Sequence, residues 1–267
     1  MLTLILLVVI GLFLVLQSAP AFQLAGWNFF TATVWQPDGT KHQLGIAAVM
    51  YWTMVIAAIA LLIAVPVSIA TALFINEYAP RRTRRGLTAL VDLLAAIPSI
   101  IYGIWGLAFL EAYLVQVSGW LSDNASFIPI FKTDIPLYAG SAYVAGVVVS
   151  LMVQPICTSI MREVFSQAPP AEREAALALG ATKWEMIRIA VIPYGYSGVV
   201  GAIILGLGRA LGETIAVAMV IGNRPEIAAS LFMPSSTLAS AIANEFTEAT
   251  GDLYLSALVE LGLVLMV

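Results

Sequence analysis

Charge is what this chain mostly lacks. Of its 267 residues only 10% are Asp, Glu, Lys or Arg, while 61% are hydrophobic, against roughly 25% charged in an average soluble domain. With a mean hydropathy of +0.95, a water-soluble globular fold is excluded, and an all-α polytopic membrane protein is the expected class. The single cysteine, Cys157, excludes an intramolecular disulfide and reads as a small buried hydrophobe in an apolar stretch. The single histidine, His42, excludes a His-rich metal site and reads as a solvated loop residue. A Walker lysine loop, a dinucleotide fingerprint and metal-ligand spacing are all missing, so no metal or cofactor is expected in this chain. The glycine-rich "GLGRALG" has no strand before it and lies in a hydrophobic run, which rules it out as a nucleotide loop.

What the chain does have is long apolar runs. A membrane-crossing helix needs about 20 mostly apolar residues. Six segments qualify or nearly so: 2–17, 46–74, 87–109, 138–161, 196–221 and 253–267. Without barrel-like alternation all six are predicted helical, within one transmembrane domain over 1–267. Residues 1–21 lack the positive n-region of a signal peptide, so they read as a span. Both outermost spans are short and reach the chain ends, which suggests ends cut short of the native ones.

Basic residues orient the chain. Arg81, Arg82, Arg84 and Arg85 follow the second span; Arg162, Arg173, Lys183 and Arg188 follow the fourth. The opposite loops hold only Lys41, Lys132 and Arg224. The positive-inside rule makes the two crowded loops cytoplasmic. The 81–85 cluster is a topology signal that also suits anionic lipid; nucleic acid is not an expected partner. The loops 110–137 and 222–252, carrying Trp120, Phe127 and Phe232, are expected to form folded outer structure.

The cytoplasmic loop 162–195 is the most patterned. Pro169 and Pro170 suit a helix start, with Glu172 and Glu174 in the first turn, where the helix dipole favours negative charge. Gly180 supplies a left-handed stop. Thr182 and Glu185 have the spacing of a capping box for a second helix. Ala175, Ala176 and Ala178 permit close approach of another surface, and Trp184, Ile187 and Val191 form an apolar stripe. By spacing alone, this helix-turn-helix either packs under its own bundle or docks a partner.

"EAALALG", with a proline thirteen residues after its glycine, resembles the EAA loop of ATP-binding-cassette (ABC) importer permeases, matched at Glu174, Ala175, Ala176, Gly180 and Pro193. It departs from the family at Ala190 and Ile192, where isoleucine and leucine are usual. "LLAAIPSIIYGIWGL", "GLGRALGETIAVAMVIGN" and "LFMPSSTLASAIANEF" extend the resemblance, over nearly the whole chain, to phosphate-importer permeases of the PstC type. The resemblance implies a type I importer permease fold in the bacterial cytoplasmic membrane. It further implies a PstA-like sister permease, two ATP-binding subunits that hold ATP and Mg, and an extracytoplasmic phosphate-binding protein. The 162–195 loop, Trp184 included, would then be the ATPase-coupling element of a non-catalytic subunit. A permease for molybdate or sulfate, and a self-contained channel or carrier, are the alternatives; the second has no need of an ATPase dock.

Arg209 and Glu213 are the charges that need explaining. Arg209 lies about 18 Å along a span starting near Ser197, close to mid-bilayer. An arginine there costs on the order of 3 kcal/mol on insertion scales, so it faces an interior or a wet cavity. Four residues apart on a helix, the pair shares a face. Either the two simply neutralise each other, or Arg209 lines an anion path, offering planar donors to phosphate oxygens. Glu213 would then orient it, or accept the proton of monohydrogen phosphate. Gly198, Ala202, Gly206 and Ala210 form one small-residue ridge, and Gly208 and Gly212 a second. Pro66, Pro98 and Pro155 interrupt spans, and Ser99 and Tyr102, after Pro98, are further candidates for the path. Asp92 is placed to pair with the cytoplasmic arginines; Glu260 has no role legible from sequence.

Overall fold

The computed structural model describes residues 1–37, 42–133 and 140–267; Lys41 lies outside them. The chain is helical almost throughout. Helix α1 (Leu2–Ala25) is followed by a short α2 (Asn28–Thr31) and a two-stranded antiparallel ribbon, β1 (Trp35–Gln36) with β2 (Gln43–Leu44). Next come α3 (Ala47–Leu73), extended by a π-helical turn at Phe74–Tyr78, and α4 (Arg81–Ala95). Helix α5 (Ser99–Trp105) runs through a second π turn, Gly106–Leu110, into α6 (Glu111–Asn124). Then follow α7 (Ala142–Ser166), α8 (Pro170–Ala178), α9 (Lys183–Met186), a third π turn at Ile187–Val191, and α10 (Ile192–Leu211). The chain closes with α11 (Ile215–Val220), α12 (Leu238–Glu245) and α13 (Asp252–Met266).

Among the described residues, five helical runs are long and apolar enough to cross a membrane: Leu2–Ala25, Ala47–Tyr78, Ser99–Asn124, Ala142–Ser166 and Lys183–Leu211. The largest differences from the sequence expectation are at the first, third and fifth spans; the second runs on to Tyr78 and the fourth is Ala142–Ser166. The first span continues past residue 17 to Ala25, with Pro20 inside it. At Pro20 the Ser256 hydroxyl enters the backbone ladder: it accepts from the Ala21 amide (3.1 Å) and donates to the Gln17 carbonyl (2.8 Å), so a side chain supplies what the helix lacks. The expected third span, 87–109, does not exist as one helix. Pro98 disfavours helical backbone at the residue before it, and the run divides into α4 and the longer Ser99–Asn124. Residues 110–124, expected in an outer loop, therefore belong to a spanning helix. The expected fifth span, 196–221, ends as a helix at Leu211 and resumes at Ile215. The sixth segment forms α13, 15 residues long.

Expected as one domain, the chain divides by packing into two compact units that interleave along the sequence. One comprises Met1–Ala58, Ser99–Val148 and Leu211–Val267. Its core joins Phe29, Trp35, Ile46, Leu238, Tyr254 and Leu258. Glu245 ties the ribbon to α13, accepting from Trp35 Nε1 (2.6 Å) and the Tyr254 hydroxyl (2.7 Å). The other unit comprises Ile59–Pro98 and Val149–Ala210. Here small residues set the spacing of α7 and α10. A Cβ on Gly206 would come within 2.7 Å of Cys157 Sγ, and one on Gly198 within 2.4 Å of Val164. The first small-residue ridge is therefore used for helix packing. Cys157 is fully buried there, in keeping with its apolar setting. The Ser68 hydroxyl donates to the Gln154 carbonyl beside Pro155 (2.9 Å), satisfying backbone near the proline from a neighbouring helix.

Candidate functional site

The patterned 162–195 loop folds as its local signals dictate. Pro170 opens α8 after Pro169, Gly180 is left-handed at φ +86°, and α9 begins with a complete capping box. In that box the Thr182 hydroxyl accepts from the Glu185 amide (3.3 Å), and the Glu185 carboxylate accepts from the Thr182 amide (2.7 Å). Losing an N-cap of this kind costs about 1 kcal/mol, so Thr182→Ala is expected to speed amide exchange at residues 183–186 about fivefold in hydrogen–deuterium exchange. Pro193 stands at the second position of α10, directly after the π turn.

The predicted apolar stripe of α9 divides. Ile187 and Val191 are fully buried, whereas Trp184 is 54% exposed. Met186–Ile187 and Ala190–Val191 face inward together, the last four-residue steps of the stripe, while Trp184 points out. On α8, Ala176 is buried, and Glu174, Ala175 and Ala178 are exposed. Leu179 is 90% exposed and Leu177 48%. Trp184, Leu177 and Leu179 thus give this loop exposed apolar side chains.

Arg209 and Glu213 do not sit on one face of a continuous helix, as the sequence spacing suggested. Arg209 occupies the last turn of α10 and is exposed; the helix ends two residues later. Glu213 lies in the Gly212–Thr214 break, 4% exposed, and accepts from the Ala216 amide of α11 (3.2 Å). Each charge stands at a helix end whose dipole favours its sign: the cation at a C-terminus, the carboxylate at an N-terminus. The two also fall in different compact units.

Ser99 and Tyr102 belong to the same unit as Glu213, and their helix packs directly on the helix that Glu213 caps. A Cβ on Gly103 would meet Met219 Sδ at 2.8 Å and the Ala216 Cα at 3.0 Å, so only glycine allows α5 this close to α11. Tyr102 and Ser99 are half-buried. In the second ridge, Gly208 faces open space: a Cβ added there would meet no atom within 4 Å.

Sequence reasoning missed Glu111. It sits within a spanning helix, directly after a π turn, 7% exposed, and its Oε1 has no hydrogen-bond partner among the described residues. The rule that helices break before proline held the signal, because it moves the span to begin after Pro98. Asp92 stands opposite Arg162, at 3.5 Å. Glu260 is 3% exposed and lines a cavity of about 500 Å³ with Val15, Ser18, Phe22 and Leu263, on the α1–α13 face.

Comparison with known proteins places this architecture. A family model described as "binding-protein-dependent transport system inner membrane component" matches residues 64–267. The chain is 44% identical over 271 residues to the phosphate transport system permease protein PstC of Haemophilus influenzae, covering 100% of this chain and 85% of that one. It is 47% identical over 251 residues to PstC of Xylella fastidiosa, covering 92% and 76% of the two chains. It is 42% identical over 265 residues to PstC 2 of Mycobacterium tuberculosis, covering 98% and 82%. A family match across three-quarters of the chain, helices among the described residues long and apolar enough to cross a membrane, and relatives this similar lead to one conclusion: the chain belongs to the inner membrane components of binding-protein-dependent transport systems.

Proposed function

We propose that this chain is a membrane-spanning permease subunit of an ATP-driven importer of inorganic phosphate. The names of its relatives support the substrate. Hydrolysis belongs to two partner ATPases, which bind ATP and Mg; a PstA-like sister permease and an outer phosphate-binding protein complete the assembly. The α8–α9 loop docks the ATPase on the cytoplasmic side. Its movement rocks the spans and opens the central path to alternate sides. Leu179→Asp, at a site too exposed to disturb the fold, is expected to abolish copurification of the ATPase; unchanged copurification would remove the docking role.

The observation that carries the path is Arg209: a guanidinium exposed on the chain's own surface in the last turn of α10, with apolar helix on both sides of the break that follows. Lipid is a poor neighbour for it, so this surface faces the sister subunit or a wet passage. Arg209 meets the anion there. Glu213 fixes the break that follows α10, and within its own unit Ser99 and Tyr102 of α5 are further candidates for contact with the anion. One arginine does not neutralise a divalent anion, and a weak contact suits an ion that must leave again.

The test uses the assembled transporter, with its binding protein, in proteoliposomes. Phosphate is expected to stimulate ATP hydrolysis at least about tenfold more than sulfate or molybdate does. Equal or better stimulation by another oxyanion would reassign the substrate. Uptake independent of ATP would move the chain to the channel class.

A further inference from the structure

The π-helical turn that ends α3 has an unusual set of attachments: its last three residues, Asn76, Glu77 and Tyr78, each reach a different helix. Glu77 pairs with Arg173 of α8, Oε1 to Nη1 at 2.9 Å, with the carboxylate only 6% exposed. The ring of Tyr78 lies under Lys183, the first residue of α9, with Nζ 4.8 Å from the ring centre. The Asn76 amide donates to the Arg162 carbonyl of α7 (2.6 Å), and its own carbonyl accepts from the Arg84 guanidinium of α4. Arg162 in turn donates to Thr88 of α4 (3.1 Å), and Arg173 also donates to the Phe165 carbonyl (2.6 Å).

We propose that Asn76, Glu77 and Tyr78 are the positioning residues through which the docking loop drives the spanning helices. This rests on the coupling role of α8–α9 given above. A carboxylate as buried as Glu77 has no water to turn to if Arg173 departs, so the pair moves as one body. The cation over Tyr78 adds a second hold on the same turn, from the other helix of the loop. A shift of α8–α9 is thereby delivered to the end of α3. Asn76 relays it to α7 through its side-chain amide, held on the Arg162 backbone carbonyl. Single π turns within α-helices recur at functional sites. The attachment lies in such a turn, at the end of α3.

The experiment compares the assembled transporter with Glu77→Arg, with Glu77→Gln, and with the exchanged pair Glu77→Arg/Arg173→Glu. In Glu77→Arg, ATP hydrolysis is expected to stay within about twofold while phosphate uptake per ATP falls about tenfold or more. Glu77→Gln is expected to fall between this variant and the parent, and the exchanged pair to recover most of the loss. Unchanged uptake per ATP in Glu77→Arg would overturn the proposal. So would equal losses of hydrolysis and uptake that the exchanged pair leaves unrepaired, since that marks a structural role only.

A second readout needs no substrate. Spin labels at the exposed Leu62 of α3 and Leu177 of α8 are expected to keep their separation within about 2 Å between ATP-free and ATP-trapped complexes of the parent protein, and to lose that constancy in Glu77→Arg. A larger change in the parent protein would show that α3 and α8 move separately and would end the proposal, whichever anion is carried. Failure of the parent complex to respond to phosphate would count against the substrate and leave this readout standing.

Discussion

Arg209→Gln is expected to assemble normally and to transport phosphate about tenfold to a hundredfold more slowly, the loss that goes with removing a charged hydrogen bond to the passing anion. Assembly survives because the side chain is exposed at the end of α10 and supports no core. Arg209→Lys keeps the charge but loses the planar fork, so recovery should be partial. Binding of the outer phosphate-binding protein and basal ATP hydrolysis serve as controls for assembly, and uptake in proteoliposomes is the readout. If Arg209→Gln transports at the parent rate, the anion does not pass this residue. Glu213→Gln separates its two suggested roles. Its contact with the Ala216 amide is one an amide oxygen also makes, so the helix break persists. A changed preference between phosphate and sulfate would then point to proton acceptance, and an unchanged preference leaves Glu213 a structural cap.

What the sequence revealed and what it hid divide along physical lines. The helix-turn-helix of the 162–195 loop was legible because its signals are local: prolines opening α8, a left-handed Gly180, a capping box at Thr182–Glu185. Each is fixed by backbone chemistry within a few residues. The third span was misplaced because Leu90, Leu93 and Leu94 are apolar enough to extend a hydrophobic window across Pro98, while Glu111, Gln116 and Ser118 made the true second half look like loop. An amphipathic helix abutting a spanning one gives the same window average as a single span. The break after Leu211 was hidden by hydrophobic sequence on both sides of "GETI", and the four-residue spacing of Arg209 and Glu213 assumed a helix that stops between them. The π turn at Phe74–Tyr78 has no local signature at all. Its partners, Arg162 and Arg173, are more than eighty residues away in sequence, so it becomes visible only once those helices are packed.

The two glycine ridges offer a contrast that tests helix packing and the path in one pair of substitutions. Gly206→Ala places a methyl carbon 2.7 Å from Cys157 Sγ and 2.9 Å from Val153 Cγ1. Both neighbours are short side chains in a buried seam, with little freedom to retreat, and overpacking of this kind costs about 1–3 kcal/mol. The detergent-solubilised complex should therefore melt several degrees lower, and Val153→Ala in the same chain should return part of the loss. Gly208→Ala meets nothing within 4 Å and gains up to about 1 kcal/mol of helix propensity, so its chain should be no less stable than the parent. Gly208 is nonetheless the neighbour of Arg209 and, like it, exposed. If that surface is the transport path or the sister-subunit contact, Gly208→Ala should slow uptake while stability holds. Full uptake in Gly208→Ala would place this part of α10 against lipid, and an exposed Arg209 makes that arrangement costly. A loss of stability in Gly206→Ala without loss in Gly208→Ala, and a loss of uptake in both, is the pattern that separates a packing seam from a working surface on the same helix.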